Sequence, residues 1–194
     1  MRRVLLAVSA LAAVSILTAA AVDTASGSQS ARSPLVGQWK RLNKCSEVVA
    51  DLRLAGLGAT VAQAWVGQTS ASGESSFKTG SPAPTRREPC RGAIARVHWN
   101  FFTLSGSFGS LDWHGAQVDD GSYTITGPTT VTIGGVPFHF TIENGNTLAL
   151  RPVLTPAMIR KANAHPAAFT PAFWAVTVAY QGHTWRRVLC SRCG

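Results

Sequence analysis

The chain has 194 residues, with 18 Lys or Arg against 9 Asp or Glu, for a formal charge of +9. That length holds one domain with a real core and is too short for two. The basic balance would suit an anionic envelope surface, but Lys40, Arg41 and Lys44, then Arg86, Arg87 and Arg91, then Arg160 and Lys161, then Arg186, Arg187 and Arg192 are scattered without a basic run or a nucleic-acid motif, which excludes a nucleic-acid partner.

Arg2 and Arg3 precede an apolar stretch from Val4 to Leu17, and Thr18-Ala19-Ala20-Ala21 follows with small residues. This pattern predicts a signal peptide over 1–21, cut after Ala21. The stretch is shorter than the roughly 20 apolar residues of a spanning helix. Removal of Arg2 and Arg3 leaves 16 basic against 9 acidic residues, a charge of +7. Residues 22–33 are rich in Ser, Ala and Thr and read as a disordered tether to a single domain over 34–194. A secreted or envelope location follows.

Leu35 to Arg41 reads as a first strand, and a helix from about Ser46 to Leu54 carries Val48, Val49, Leu52 and Ala55 at helical spacing, with Ser46 as cap and Gly56 as stop. Ala59 to Val66 reads as a second short helix. The stretch 67–89 crowds Ser, Gly, Pro and Thr and reads as a flexible loop. A meander then runs from about Arg96 to Val153, with strands over Ile94–Thr103, Ser107–Trp113, Gly121–Thr126, Thr129–Ile133, Val136–Ile142 and Thr147–Pro152. Its turn dipeptides are Ser105-Gly106, Asp120-Gly121, Gly134-Gly135 and Asn144-Gly145. Thr155 to Ala164 is helical, with Thr155 as cap and Pro156 in the first turn. Phe173 to Tyr180 fits either a strand or a helix, and Thr184 to Leu189 is a final strand. A sheet of seven to nine strands tends to curl and close, so the expected fold is a mainly β, small antiparallel up-and-down barrel with short helices.

Four cysteines, Cys45, Cys90, Cys190 and Cys193, imply disulfides in an oxidising compartment. Three pairings are open. Cys45–Cys90 is favoured because it would close the long loop, leaving Cys190–Cys193 as a local pair. The Cys-x-x-Cys at 190–193 also has the spacing of a redox motif or half a zinc site, but it opens no predicted helix and has no second half.

Gly37-x-Trp39 on the first strand, the meander, and Arg186 or Arg187 on the last strand resemble the lipocalin (calycin) barrel. That resemblance implies an arginine packed over the tryptophan to close one end of the barrel, and a fold that holds small ligands. A helix and a long loop stand here where a lipocalin has one long loop. The segments Phe108-Gly-Ser-Leu-Asp112 and Val118-Asp-Asp-Gly-Ser-Tyr123 also resemble uncharacterised exported actinobacterial proteins, a likeness that implies no activity.

On the strand from Ile94, the residues Ala93, Ala95, Val97, Trp99 and Phe101 share one face and Arg96, His98 and Asn100 the other. Val136, Phe138, Phe140 and Ile142 likewise oppose His139, Thr141 and Glu143. The apolar faces are expected to build the core and the polar faces to meet solvent. Were a polar face to line a cavity, Arg96, His98, Tyr123, His139 and Glu143 would be the candidate ligand-binding residues. Asp112, Asp119 and Asp120 are the clustered carboxylates, and Asp119-Asp120-Gly121 reads as a tight turn. Tyr123 reads as a packed strand residue with its hydroxyl in water. No Gly-x-Ser-x-Gly and no His-x-His occurs, so no catalytic residue, metal or other cofactor is assigned. The expected function is an exported, non-catalytic protein that binds a small apolar or lipid-like ligand. The alternatives are an interaction or inhibitor protein using the loop and basic surface, and an enzyme built on His98, His139 and Glu143.

Overall fold

A computed structural model describes residues 33–58, 76–77, 85, 87–166, 168, 170–180 and 183–193. The expected signal peptide, all but the end of the expected tether, the expected helix over Ala59–Val66 and most of the expected 67–89 loop lie outside these residues. The elements in chain order are β1 (Gly37–Asn43), α1 (Cys45–Leu54), β2 (Ser76–Phe77), β3 (Ala93–Ile94), β4 (Arg96–Phe102), β5 (Ser107–Leu111), β6 (Gln117–Gly127), β7 (Thr130–Ile133), β8 (Val136–Glu143), β9 (Thr147–Pro152), α2 (Pro156–Ala164), α3 (Pro171–Ala179) and β10 (Thr184–Val188).

Eight strands close an antiparallel barrel in the order β1-β10-β9-β8-β7-β6-β5-β4, and β2 pairs with β3 in a separate ribbon. The strands from β4 to β10 are therefore an up-and-down meander, and β1 closes it by pairing with both β4 and β10. Alternation sets the register along β8. Val136, Phe138 and Phe140 are at most 4% exposed, while Pro137, His139 and Thr141 between them are exposed.

Two local readings change and one that was open is decided. Asp120-Gly121 is not a turn, because β6 runs straight through it. The reversal lies earlier, where the Asp112 carboxylate accepts the backbone N–H of His114 at 2.9 Å and of Ala116 at 2.8 Å. Gly115 supplies a φ of 81° there. The segment from Phe173 is helical, not extended. Pro171 sits in the first turn of α3, and Thr170 Oγ1 accepts the Phe173 N–H. The sequence Pro-Ala-Phe-Trp-Ala-Val-Thr-Val-Ala is apolar on every side, so this helix is buried rather than amphipathic. Finally, α1 begins at Cys45 with Lys44 before it and no side-chain cap, so Ser46 lies inside the first turn. By contrast α2 carries the expected Thr155 cap, which accepts the Met158 N–H at 3.2 Å.

The largest change concerns β4. Its register places Asn100 opposite Trp39, His98 opposite Arg41 and Arg96 opposite Asn43. Trp39 is fully buried, so Arg96, His98 and Asn100 face into the barrel and not toward solvent. Trp99 and Phe101 face outward. They are not bare, because Phe101, Leu111 and Cys193 bury one another, with Val36, Trp99 and Cys190 packed against them. A strand covered on both sides does not announce by alternation which side is the barrel's. Phe101 also lies across Gly109 on β5, where a Cβ would stand 2.4 Å from its ring.

Two disulfides hold the periphery, Cys45–Cys90 and Cys190–Cys193. Among the described residues no helix is long and apolar enough to cross a membrane.

Candidate functional site

The two ends of the barrel differ in chemistry. At the lower end, around Gly37 and the 144–146 turn, Arg187 stacks over Trp39 at 4.1 Å. Its guanidinium donates to the carbonyls of Gly145, Val36 and Pro34, each at 2.7 Å. Trp39 Nε1 donates to Leu35 O at 2.9 Å. The absence of a side chain at Gly37 makes room, because a Cβ there would stand 2.7 Å from Arg187 Nη1. Arg187 therefore seals this end. Arg186 points away and reaches Thr147. Tyr123 belongs to this end too, and its buried hydroxyl donates to Thr103 O at 2.7 Å rather than meeting water.

The middle of the lumen is apolar and packed. Phe102, Phe108, Val131, Ile133, Phe138, Leu148 and Trp185 are at most 1% exposed. Helix α3 occupies the upper mouth. Trp174 sits edge-on to Phe108 and Phe138, and its indole N–H donates to Asp119 at 2.5 Å. Asn100 donates to Val178 O and accepts from Ser110 Oγ. Trp185 Nε1 donates to Ala179 O. Burial raises the Asp119 carboxyl, and the Trp174 bond partly offsets that.

At the upper end, beside α3, polar and charged groups are drawn into the barrel. Arg41, Asn43, Arg96 and His98 form an inward-facing quartet on the paired strands β1 and β4. Glu47 and Asp51 approach from α1, and Tyr180 and His183 from the segment after α3. Arg41 donates to Glu47 and lies over the Tyr180 ring at 4.1 Å. Arg96 lies over Trp113 at the same distance. His183 Nδ1 is 3.8 Å from Glu47 and its Nε2 is 3.7 Å from Asp51. Tyr180 has a left-handed backbone with φ of 50°, an unusual conformation for an aromatic residue.

Burial dominates the electrostatics here. It pushes the Asp51 carboxyl up to about 6, against the pull of Arg41 and with a further push from Glu47. It drives His98 down to about 4, opposed by Asp112, so this imidazole is neutral at pH 7. Burial also lowers Arg41 and raises the Tyr180 hydroxyl. Four side-chain atoms in this region, Arg41 Nε, Asn43 Oδ1, Asp51 Oδ2 and Arg96 Nε, are buried and have no hydrogen-bond partner among the described residues.

Of the five residues predicted to bind ligand, the structure brings Arg96 and His98 together in this region. Tyr123 lies toward the opposite end. His139 and Glu143 are exposed on the outside of β8, so His98, His139 and Glu143 do not share a site. The outward placement follows from register, since Phe138 and Phe140 take the inner face. Sequence reading missed Arg41, Asn43, Asp51, Tyr180 and His183. Arg41 and Asn43 alternate with exposed Lys40 and Leu42, so the strand carried a signal, though of polar rather than apolar residues pointing inward. Asp51 lies on α1 between the apolar positions Val48 and Leu52, and nothing local marks it as buried. Among the described residues no group of three or more His, Cys, Asp or Glu is arranged to hold a metal ion.

No family model matches the chain, and no curated protein matches it in sequence.

Proposed function

We propose that this protein is an exported, non-catalytic barrel that binds a small ligand, and that the ligand is held at the polar upper end of the lumen. The observation that supports this reading is the set of four buried polar atoms on β1, β4 and α1 that have no partner among the described residues. A buried donor or acceptor left unmatched costs about 1–3 kcal/mol, so such groups mark a place where something else supplies the bond. Two guanidinium Nε–H donors, an amide oxygen and a carboxylate oxygen would match a small polar molecule carrying both acceptors and donors. The two disulfides suit an oxidising, extracellular setting.

An apolar or lipid-like ligand, which the barrel by itself would suggest, would need α3 and the packed side chains around Phe108 and Phe138 to move aside. The interaction-protein reading rests on a loop that lies mostly outside the described residues.

The test is native mass spectrometry of the exported protein from its own host, followed by separate aqueous and organic extraction. A defined adduct that leaves into the aqueous extract, and that is lost from Arg96→Met, is the expected result. An adduct recovered as lipid would move the site to the apolar lumen. A clean apo mass would remove the ligand-binding reading.

A further inference from the structure

A second feature lies outside the barrel, where α1 meets the chain around Cys90. A groove of about 390 Å³ runs between them, lined by Arg53 of α1, by Arg87 and Arg91, and by Ser46, Val49 and Glu88 among others. That volume falls in the range of small-molecule sites, roughly 300–1,000 Å³. Its walls come from segments far apart in sequence, and the Cys45–Cys90 disulfide ties them together with Cα atoms 5.6 Å apart. Val49 on the floor is 4% exposed and belongs to the core. The loop wall is braced by Glu88, whose N–H meets Thr85 Oγ1 and whose carbonyl accepts the Arg91 N–H.

The charge of the groove is not balanced. Glu88 pairs with Arg91 at 3.2 Å, an exposed ion pair. The guanidiniums of Arg53 and Arg87, both exposed, make no hydrogen bond or ion pair to a described residue. Three guanidiniums against one carboxylate leave the groove two positive charges in excess. Guanidinium groups are suited to bidentate contact with tetrahedral oxyanions, and a phosphate monoester carries about −1.5 to −2 at pH 7. Ser46 adds a hydroxyl to the wall of the groove.

We infer that this groove is a phosphate-binding site, taking the phosphate group of a small phosphorylated molecule between Arg53, Arg87 and Arg91. Charge and size favour this over a stretch of acidic polypeptide, because the three arginines line one groove of small-molecule size instead of an extended stripe. Glu88 then acts as the competing anion that a ligand displaces from Arg91. The site is independent of the polar end of the barrel, and either can fail without the other.

The experiment titrates the disulfide-intact mature protein with inorganic phosphate, pyrophosphate and glycerol 3-phosphate, following the arginine side-chain signals by NMR at low salt and near 0.15 M salt. Pyrophosphate is expected to bind and to shift Arg53, Arg87 and Arg91 together. Arg53→Gln and Arg87→Gln should each weaken it about tenfold, since each removes a charged donor pair. Glu88→Gln should tighten it, a direction that a merely structural Glu88 would not give. All three positions are exposed, and an unchanged Tm would show that the variants fold. Binding of glycerol 3-phosphate without binding to phosphatidylglycerol vesicles identifies a soluble phosphorylated ligand. Vesicle binding lost in the triple variant R53Q/R87Q/R91Q identifies a lipid headgroup as the source of the phosphate. No shift with pyrophosphate at about 10 mM, weaker than any specific site of this charge would show, overturns the proposal. So does equal binding by the triple variant, or tighter binding of an oligoglutamate peptide than of pyrophosphate.

Discussion

The opposed titrations of Asp51 and His98 give the sharpest test of the polar end. Asp51 ionises near 6 instead of 3.8 because burial penalises its charge. The raised value means that the fold favours the protonated acid. Its contribution to stability is full below about 3.8 and is lost as pH rises through about 6, a change of about 3 kcal/mol. His98 behaves in reverse. Its folded value of about 4 lies below the ordinary 6.5, so the fold favours neutral imidazole. That contribution is full above 6.5 and is lost as pH falls through about 4, again about 3 kcal/mol. Over the same interval the two groups nearly cancel. The charged or titratable groups around them are Arg41 on β1, Glu47 on α1, Tyr180 and His183 after α3, and Arg96 and Asp112 beside His98. Because the His183 imidazole lies against both Glu47 and Asp51, His183→Gln is carried in every protein compared. Urea unfolding of the disulfide-intact protein is then measured between pH 4 and 6.5, and each variant is read as its difference from the parent. Relative to the parent, Asp51→Asn should lose about 2 to 2.5 kcal/mol as pH falls across the window, and His98→Gln should gain about as much. Difference profiles that stay flat for both variants would refute the assignment of burial to these two side chains.

Three further outcomes are expected. Arg187→Ala removes three charged hydrogen bonds and the stack on Trp39; it should cost about 3 kcal/mol in urea unfolding, and Arg187→Lys should recover less than half because an ammonium cannot span the three carbonyls. Gly109→Ala drives a methyl group into the Phe101 ring and should cost about 1–3 kcal/mol, with Phe101→Leu in the same chain restoring part of the lost Tm. Replacing Cys45 and Cys90 by Ala opens a loop spanning 45 residues and should cost about 4 kcal/mol by the loop-entropy relation, against about 2 kcal/mol for Cys190 and Cys193; equal losses from the two pairs would contradict this ordering.

The barrel was legible from alternation and turn chemistry. Phe138, His139 and Phe140 on β8, Gly134-Gly135 and Asn144-Gly145 at the reversals, and Gly37-x-Trp39 with a late arginine all act over a few residues or through one cross-barrel contact. Local sequence also determined α2, because Thr155 and Pro156 cap it without help from the rest of the molecule. Tertiary structure decided what local pattern left open. Phe173 to Tyr180 has the composition of a buried strand or a buried helix, and the open mouth beside Asp119, Asn100 and Trp185 is what makes it α3. Asp119 and Asp120 read as turn residues until β6 pairs with β5 through them. The polar end itself was hidden for a general reason. Alternation states that two faces of a strand differ, but the face that is inside depends on which strand lies alongside. For β4 that partner is β1, about sixty residues earlier in the chain, and the pairing of His98 with Arg41 and of Arg96 with Asn43 turns a polar face inward. Burial then does the rest, changing four ordinary surface-type residues into a site by removing water from around them.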